Sequence, residues 1–279
     1  MGQEEPPERV LREQQDGVLL VTLNRPEKKN AFDDAGWHAF ASALDDARAD
    51  PDVAVVVVVG AGKDFSAGVD LSSFRGPLAD APPPAARTGD AAAGAIGKSP
   101  FGRCLDAVVA FDKPLLAAPR GVGVGFGATF LFHCDVVYAG ESLRLRLPFV
   151  SLGLVPEAAS SYLLPAAIGA QRAAELFYTA EWIDAERALA TGIVARVFPD
   201  DAVVDAALEK AREIARHPVG ALQATKRCLK AVQASGIRVA RDVEDTGMAA
   251  QAGSPENIEA VRAFLEKRPP DFRSLRGRG

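Results

Sequence analysis

Five consecutive valines, Val55–Val59, constrain the fold of this chain more than any other sequence feature. They complete an uninterrupted apolar run over residues 53–59, which Gly60 ends. Such a run is typical of a strand that is buried on both faces, and strands of this kind belong to sheets covered by helices. The run is also much shorter than the roughly 20 apolar residues that a membrane-spanning helix needs. The sequence therefore predicts a helix-covered sheet and no membrane span.

Predicted strands and helices alternate around this run. Residues 18–23 are rich in β-branched side chains and are followed by Asn-Arg-Pro, which predicts a strand and a turn. Apolar residues at helical spacing over 37–47 predict an amphipathic helix that ends before Pro51. Further buried strands are predicted at 115–118 and 136–139. Alternation of this kind indicates an α/β fold built with right-handed crossovers.

The pattern changes near residue 200, where predicted strands stop. We therefore divide the chain into an α/β core, residues 1–200, and a helical region, residues 201–279. The four predicted helices of that region are 202–216, 219–234, 239–252 and 255–267, and Ser254 is the expected N-cap of the last. A Pro-, Ala- and Gly-rich stretch at 76–98 has no periodicity and is interpreted as a mobile loop or an irregular insertion.

Composition excludes several classes of protein. The 279 residues carry a net charge of -5, which argues against a nucleic-acid-binding chain. Three widely spaced cysteines without a C-x-x-C pair predict neither a disulfide framework nor a metal site. The start of the chain lacks the apolar segment of a signal peptide, so the expected location is cytoplasmic.

Two glycine-containing turns follow predicted strands, at residues 60–70 and 120–128. Neither is a nucleotide-binding motif, because the first has Asp64 where a P-loop needs Ser or Thr and the second lacks G-x-G-x-x-G spacing. Glycine turns can expose backbone N–H groups, and two such donors aimed at one point would stabilise an oxyanion. Tight strand-to-helix connections are the other interpretation of the same spacing.

Five motifs occur in order around these turns. They are NRPEKKNA at 24–31, FSAGVDL at 65–71, the turn 121–127, CDVVYA at 134–139 and LGLVPE at 152–157. Together they resemble the crotonase superfamily, the enoyl-CoA hydratase and isomerase family, over most of the chain. The segment around Glu157 is most similar to peroxisomal-type 3-enoyl-CoA isomerases.

The resemblance implies a spiral of ββα repeats and a C-terminal helical region that forms a homotrimer or a dimer of trimers. It implies an acyl-CoA thioester as substrate, no cofactor, and a thioester oxygen held by the backbone amides of Val69 and Phe126. The Phe126 side chain must then point away from the acyl pocket. The implied CoA-binding residues are Arg25, Lys28, Lys29, Ser66, Gly68, Asp70, Leu71 and Lys267. For each basic residue, a solvated surface charge is an equally good interpretation.

The reaction depends on the acids at the catalytic positions. The two glutamates of the family's hydratases correspond to Thr129 and Phe149, and neither can serve as a carboxylate acid or base. By resemblance, Glu157 is the sole acid/base of a 3-enoyl-CoA isomerase. Burial should raise its pKa toward neutrality, whereas a first-turn helix position favoured by the dipole is the structural alternative.

These residues predict isomerisation of a 3-enoyl-CoA to a trans-2-enoyl-CoA. The nearest alternative is a hydratase that activates water with Glu157 or with an unrecognised group. Thioester hydrolysis, decarboxylation and non-catalytic acyl-CoA binding are the remaining alternatives.

Overall fold

The structure is a computed structural model that describes residues 7–70 and 99–275, so the loop predicted at 76–98 lies outside the described residues. The strands are β1 (Val10–Gln15), β2 (Val18–Leu23), β3 (Val55–Gly60), β4 (Leu115–Ala117), β5 (Val122–Val124), β6 (Val136–Gly140), β7 (Arg144–Arg146), β8 (Trp182–Asp184) and β9 (Arg196–Phe198). The helices are α1 (Asp34–Ala49), α2 (Pro100–Ala110), α3 (Phe126–Thr129), α4 (Ser160–Ile168), α5 (Ala170–Thr179), α6 (Ala185–Thr191), α7 (Val203–Ala215), α8 (Val219–Ala231), α9 (Ala234–Gln251) and α10 (Pro255–Leu265).

Two sheets form the centre of the molecule. A six-stranded sheet has the order β1-β2-β3-β4-β6-β9, and all its pairs are parallel except the β1-β2 hairpin. A three-stranded sheet has the order β5-β7-β8. The chain passes from β4 to β5 and from β6 to β7, so it moves from the large sheet to the small one on each turn. This alternation produces the spiral of strands and helices that the motifs predicted.

The valine strand β3 lies in the middle of the large sheet, and Val55–Val58 have no solvent exposure. Val56 and Val58 belong to the main apolar core, whereas Val55 and Val57 pack with side chains of α7 on the opposite face. The prediction of a strand buried on both faces is therefore confirmed. The same packing shows that α7, although it follows residue 200, covers the sheet.

Local sequence signals explain where several helices begin. The Asp33 side chain accepts a hydrogen bond from Gly36 N at the start of α1. Ser254 accepts one from Asn257 N at 3.1 Å, which confirms it as the N-cap of α10. Beyond β9 the described residues contain helices and no strand, as predicted. In the described ranges, no helix is long and apolar enough to cross a membrane.

Candidate active site

The two glycine turns lie side by side, although they are far apart in sequence. Ser66 and Gly123 form a parallel β-bridge, in which Ser66 N donates to Val122 O and Val124 N donates to Ser66 O. Val69 lies three residues after Ser66, and Phe126 lies three residues after Gly123. The bridge therefore brings equivalent points of the two turns next to each other.

Glycine conformations direct the two amides. Gly68 has a φ of 76°, and Gly125 has a φ of 54° with a ψ of -122°, a combination that only glycine adopts readily. A Cβ atom on Gly68 would lie 3.2 Å from Phe126 N, so the backbones of the two turns touch at this point. Within residues 7–70 and 99–275, the N–H groups of Val69 and Phe126 have no hydrogen-bond acceptor. Both donors are available to an oxygen atom of a ligand.

The Phe126 side chain points away from this pair of donors. It is 1% exposed and lies among aromatic rings, with edge contacts to Phe32, Trp37 and Phe101. The side chain must have this orientation if the Phe126 amide is to donate a hydrogen bond to a substrate. The buried ring also fixes the start of α3, because moving the amide would disturb the aromatic cluster.

Glu157 lies beside the second turn. Its Oε1 would be 3.9 Å from a Cβ atom on Gly125, the residue that precedes the Phe126 amide. Burial, and after it the negative charge of Glu244, raises the pKa of Glu157 to about 8. The direction agrees with the shift predicted from the sequence. A partly protonated carboxyl group beside Gly125 can accept a proton from a bound molecule and return it.

Glu157 does not lie in the first turn of a helix. The helix α4 begins at Ser160, after Ala158 and Ala159, which both have left-handed backbone conformations with φ of 59° and 57°. The interpretation of Glu157 as a dipole-stabilised first-turn residue is therefore wrong. Ala158 and Ala159 form a tight left-handed turn that separates Glu157 from α4.

The two positions that correspond to hydratase glutamates are both buried. Phe149 is 4% exposed and its ring lies 6.5 Å from that of Phe177. Thr129 is fully buried, and its hydroxyl has no hydrogen-bond partner in the described part of the chain. Neither position supplies a group that titrates near neutral pH.

The residues predicted to bind CoA differ in what they contact. Arg25 is partly buried and forms an ion pair with Asp70 at 2.7 Å. Lys29 is exposed and lies 3.6 Å from the Asp64 carboxylate. Lys28 and Lys267 are exposed as well. Leu71 lies outside the described residues.

Ser66 has a different position from the one predicted. It has no solvent exposure, and its hydroxyl donates to Asn30 O at 2.9 Å while accepting from Gly68 N at 3.1 Å. Both hydrogen bonds hold the first turn in shape. The Ser66 side chain therefore supports the Gly68 backbone, and a ligand cannot reach it in this conformation.

Two residues near Glu157 were not recognised as part of the site. Glu244 on α9 is 4% exposed and binds the turn that follows Glu157. His133 is buried, and its Nε2 lies 2.8 Å from Ala158 O. A signal for Glu244 exists in the sequence, because it shares the buried face of α9 with Ile237 and Ala240 at helical spacing.

Comparison with known proteins agrees with this architecture. A family model described as enoyl-CoA hydratase/isomerase matches residues 13–275. The 2,3-dehydroadipyl-CoA hydratase of Escherichia coli (strain K12) is 34% identical over 259 residues, 93% of this chain and 96% of that protein. The enoyl-CoA delta isomerase 2 of Rattus norvegicus is 30% identical over 260 residues, 93% of this chain and 64% of that protein.

A solved structure shows the same fold. The crystal structure of an enoyl-CoA hydratase/isomerase from Pseudoalteromonas atlantica T6c matches with a TM-score of 0.84 and 35% identity, over 95% of this chain and 99% of that one. With the spiral of two sheets and the extent of the family match, these findings confirm the resemblance read from the motifs. The chain belongs to the enoyl-CoA hydratase/isomerase family of the crotonase superfamily, which acts on CoA thioesters.

Proposed function

We propose that the protein isomerises 3-enoyl-CoA thioesters to trans-2-enoyl-CoA thioesters with Glu157 as the single acid/base. The observation that carries the proposal is the position of this carboxyl group beside the free amides of two adjoining turns. The absence of a carboxylate at residues 129 and 149 supports it, because hydration in this family uses the glutamates that those positions lack.

The proposed reaction moves one proton in two steps. The Glu157 carboxylate takes a proton from C2 of the 3-enoyl thioester, the electron pair of the broken C–H bond forms a C1–C2 double bond, and the carbonyl π pair moves to the thioester oxygen. The charge of the resulting dienolate is on the thioester oxygen, where the N–H groups of Val69 and Phe126 stabilise it. Protonated Glu157 then returns the proton to C4: the C3–C4 π pair forms the new C–H bond, the C1–C2 pair becomes the C2–C3 double bond, and the carbonyl group forms again. Substrate and product therefore have the same composition, and no cofactor is needed.

The CoA part of the substrate would bind near the first turn. Arg25, Lys28, Lys29 and Lys267 are the proposed partners of its phosphates, with Gly68, Asp70 and Leu71 along the adenine side. Ion pairing to Asp70 holds the Arg25 guanidinium in place. The relative named as a delta isomerase supports the isomerase assignment, whereas the relative named as a hydratase supports water addition as the second candidate.

The helical region offers a surface for assembly. Large apolar side chains are exposed on α8, at the residue that follows it, and on α9 and α10, and we propose that further copies of the chain cover them in a homotrimer or dimer of trimers. The exposed side chains are Leu229, Val232, Val239, Val243, Phe264 and Leu265.

Two substrates distinguish the candidate reactions. We expect the purified protein to convert 3-hexenoyl-CoA to its trans-2 isomer and to leave crotonyl-CoA unhydrated or to hydrate it at least about 100-fold more slowly, the factor that one general acid/base supplies. Products are separated by chromatography and identified by mass, with free CoA and carbon dioxide measured in the same reactions. Rapid hydration of crotonyl-CoA without isomerase turnover would overturn the proposal, and release of free CoA would indicate a thioesterase.

The pH dependence of the reaction should report the ionisation of Glu157. Because the carboxylate form removes the C2 proton, kcat/KM for 3-hexenoyl-CoA is expected to rise with pH and to reach half its maximum near the Glu157 pKa of about 8. The measurement is a series of initial rates between pH 6 and 9.5. A profile that is flat over this range would show that another group removes the proton.

A further inference from the structure

The turn that carries Glu157 has an unfavourable backbone conformation. Ala158 and Ala159 follow each other in the left-handed region, which L residues with a Cβ atom rarely occupy. Two such residues in succession persist only where surrounding contacts fix them. The contacts that fix this turn therefore determine where the Glu157 carboxyl group points.

One of these contacts comes from the segment that follows α3. His133 is 4% exposed, and its Nε2 lies 2.8 Å from the carbonyl oxygen of Ala158. Burial lowers the pKa of His133 to about 4, so the ring is neutral at physiological pH and donates its Nε2 proton to this carbonyl. His133 lies seven residues after Phe126 along the chain. Its hydrogen bond to Ala158 O therefore connects the segment that begins at the Phe126 amide to the turn that follows Glu157.

The other contacts come from α9. The Glu244 carboxylate accepts hydrogen bonds from Ala159 N at 2.6 Å and from Ser161 N at 2.8 Å, with one amide on each oxygen. The side chain is 4% exposed. Because both of its oxygens bind backbone donors, Glu244 is not free to exchange a proton with a substrate.

We propose that Glu244 is a positioning residue, which locks the left-handed turn at Ala158 and Ala159 so that the Glu157 carboxyl group faces Gly125 and the two free amides. The inference rests on the proposed function of Glu157. It gives α9 a defined part in the site, in addition to its place in the helical region.

Several charged groups surround the turn. Glu244 and Asp245 approach from α9, and Lys226, Lys230 and Arg241 face His133 from α8 and α9. Of these groups, Glu244 acts directly on Glu157, and its negative charge raises the Glu157 pKa. Removal of this charge is therefore expected to lower the Glu157 pKa, in addition to loosening the turn.

The test compares three variants with the full-length wild type. Glu244→Gln keeps the side-chain size but turns an NH2 group toward one of the two amide donors, and Glu244→Asp keeps the charge but shortens the reach. Asp242→Asn is the matched control, because it removes an acid from the exposed face of the same helix. We expect kcat to fall roughly 10- to 100-fold in both Glu244 variants, as a small misplacement of a catalytic group produces, with the KM for 3-hexenoyl-CoA nearly unchanged.

The pH profile separates the two effects of Glu244. The half-maximal point of kcat/KM should move to lower pH in Glu244→Gln and should stay near the wild-type value in Glu244→Asp. Asp242→Asn should match the wild type in both kcat and profile. The proposal would be overturned if Glu244→Gln had the kcat and the pH profile of the wild type. It would also be overturned if Asp242→Asn lost as much kcat as Glu244→Gln.

A second measurement needs no substrate. Glu157 has a raised pKa in the folded protein, so its carboxyl group favours folding fully below its unfolded pKa and loses this contribution as pH rises through the folded value. The unfolding stabilities of wild type and Glu157→Gln should therefore diverge with rising pH. The same comparison is made between Glu244→Gln and the Glu157→Gln/Glu244→Gln double variant. Their unfolding stabilities should diverge less than those of the first pair, and the divergence should be complete at lower pH. The four proteins form a double-mutant cycle.

This cycle distinguishes failure of the inference from failure of the proposed function. If no enoyl-CoA is turned over and the cycle shows coupling, Glu244 positions Glu157 but the proposed reaction is wrong. If turnover occurs and the cycle shows no coupling, the reaction stands and the positioning role is refuted. Should Glu244→Gln not fold, Glu244→Asp is the test, because it keeps the charge and shortens the reach to Ala159 N and Ser161 N: wild-type kcat or wild-type stability in this variant refutes the proposal.

Discussion

The Glu157→Gln variant is expected to lose about 10²- to 10⁴-fold in kcat for 3-hexenoyl-CoA, the range that a positioned general acid/base contributes. Glutamine has nearly the same shape but cannot accept the C2 proton or deliver it to C4. The two backbone donors at Val69 and Phe126 are unaffected by this change. Steady-state rates at pH 8 and binding of CoA by calorimetry provide the measurement, and CoA affinity should stay within about twofold of the wild type.

Stability provides the folding control for this variant. The contribution of Glu157 to folding is fully present below its unfolded pKa and is lost once pH has risen through its folded pKa of about 8, whereas the neutral amide of glutamine does not titrate. We therefore expect Glu157→Gln to be more stable than the wild type at pH 9 and similar to it at pH 5. Retained turnover in a folded variant would assign the proton transfer to another residue, and an absence of turnover in the wild type as well would favour a non-catalytic acyl-CoA binder.

The Gly68→Ala substitution should disrupt the pair of amides directly. The added Cβ would lie 2.4 Å from Val124 O and 3.2 Å from Phe126 N, and the φ of 76° is unfavourable for alanine. The strain of a left-handed alanine is roughly 1–2 kcal/mol, and overpacking adds roughly 1–3 kcal/mol. Because the turns must separate to relieve the clash, kcat should fall at least about 100-fold, the effect of losing one oxyanion donor.

Gly192→Ala is the matched control for this prediction. Gly192 also has a positive φ, 86°, but a Cβ atom there would meet nothing within 4 Å. The control should therefore lose about 1 kcal/mol of stability from backbone strain alone and keep its kcat. Thermal denaturation and initial rates of both variants separate strain from displacement of the amides. Equal rates in Gly68→Ala and Gly192→Ala would contradict a catalytic part for the adjoining turns.

The regular elements with strong local signals could be predicted from the sequence. The strand at 18–23 has the predicted bounds, and the helix predicted from residues 37–47 is α1, which ends at Ala49 before Pro51. The small sheet was missed, because β5, β7 and β8 have three residues each and, unlike the equally short β4, contain a glycine or polar residues in place of an apolar run. The edge strand β1 was missed as well, since it is largely polar and exposed.

The site was predicted in part. Ordered motifs identified Val69, Phe126 and Glu157, and the structure brings all three to the two adjoining turns. The interpretation of Ser66 as a ligand contact failed because hydrogen bonding to Asn30 and Gly68 cannot be read from the sequence around it. The spacing of Glu244 with Ile237 and Ala240 could have indicated that it is buried, but not what it binds, because its partners Ala159 and Ser161 lie far away along the chain.

The sequence by itself determined the apolar strands of the large sheet, the helix α1, the family, and the lack of carboxylates at residues 129 and 149. Each of these is a property of residue types and their spacing. Tertiary structure alone decided that the turns at Gly68 and Gly125 adjoin and that Glu244 of α9 binds the turn after Glu157. These features depend on the register of the parallel bridge and on the packing of α9 against that turn, and both arise only when distant segments pack together.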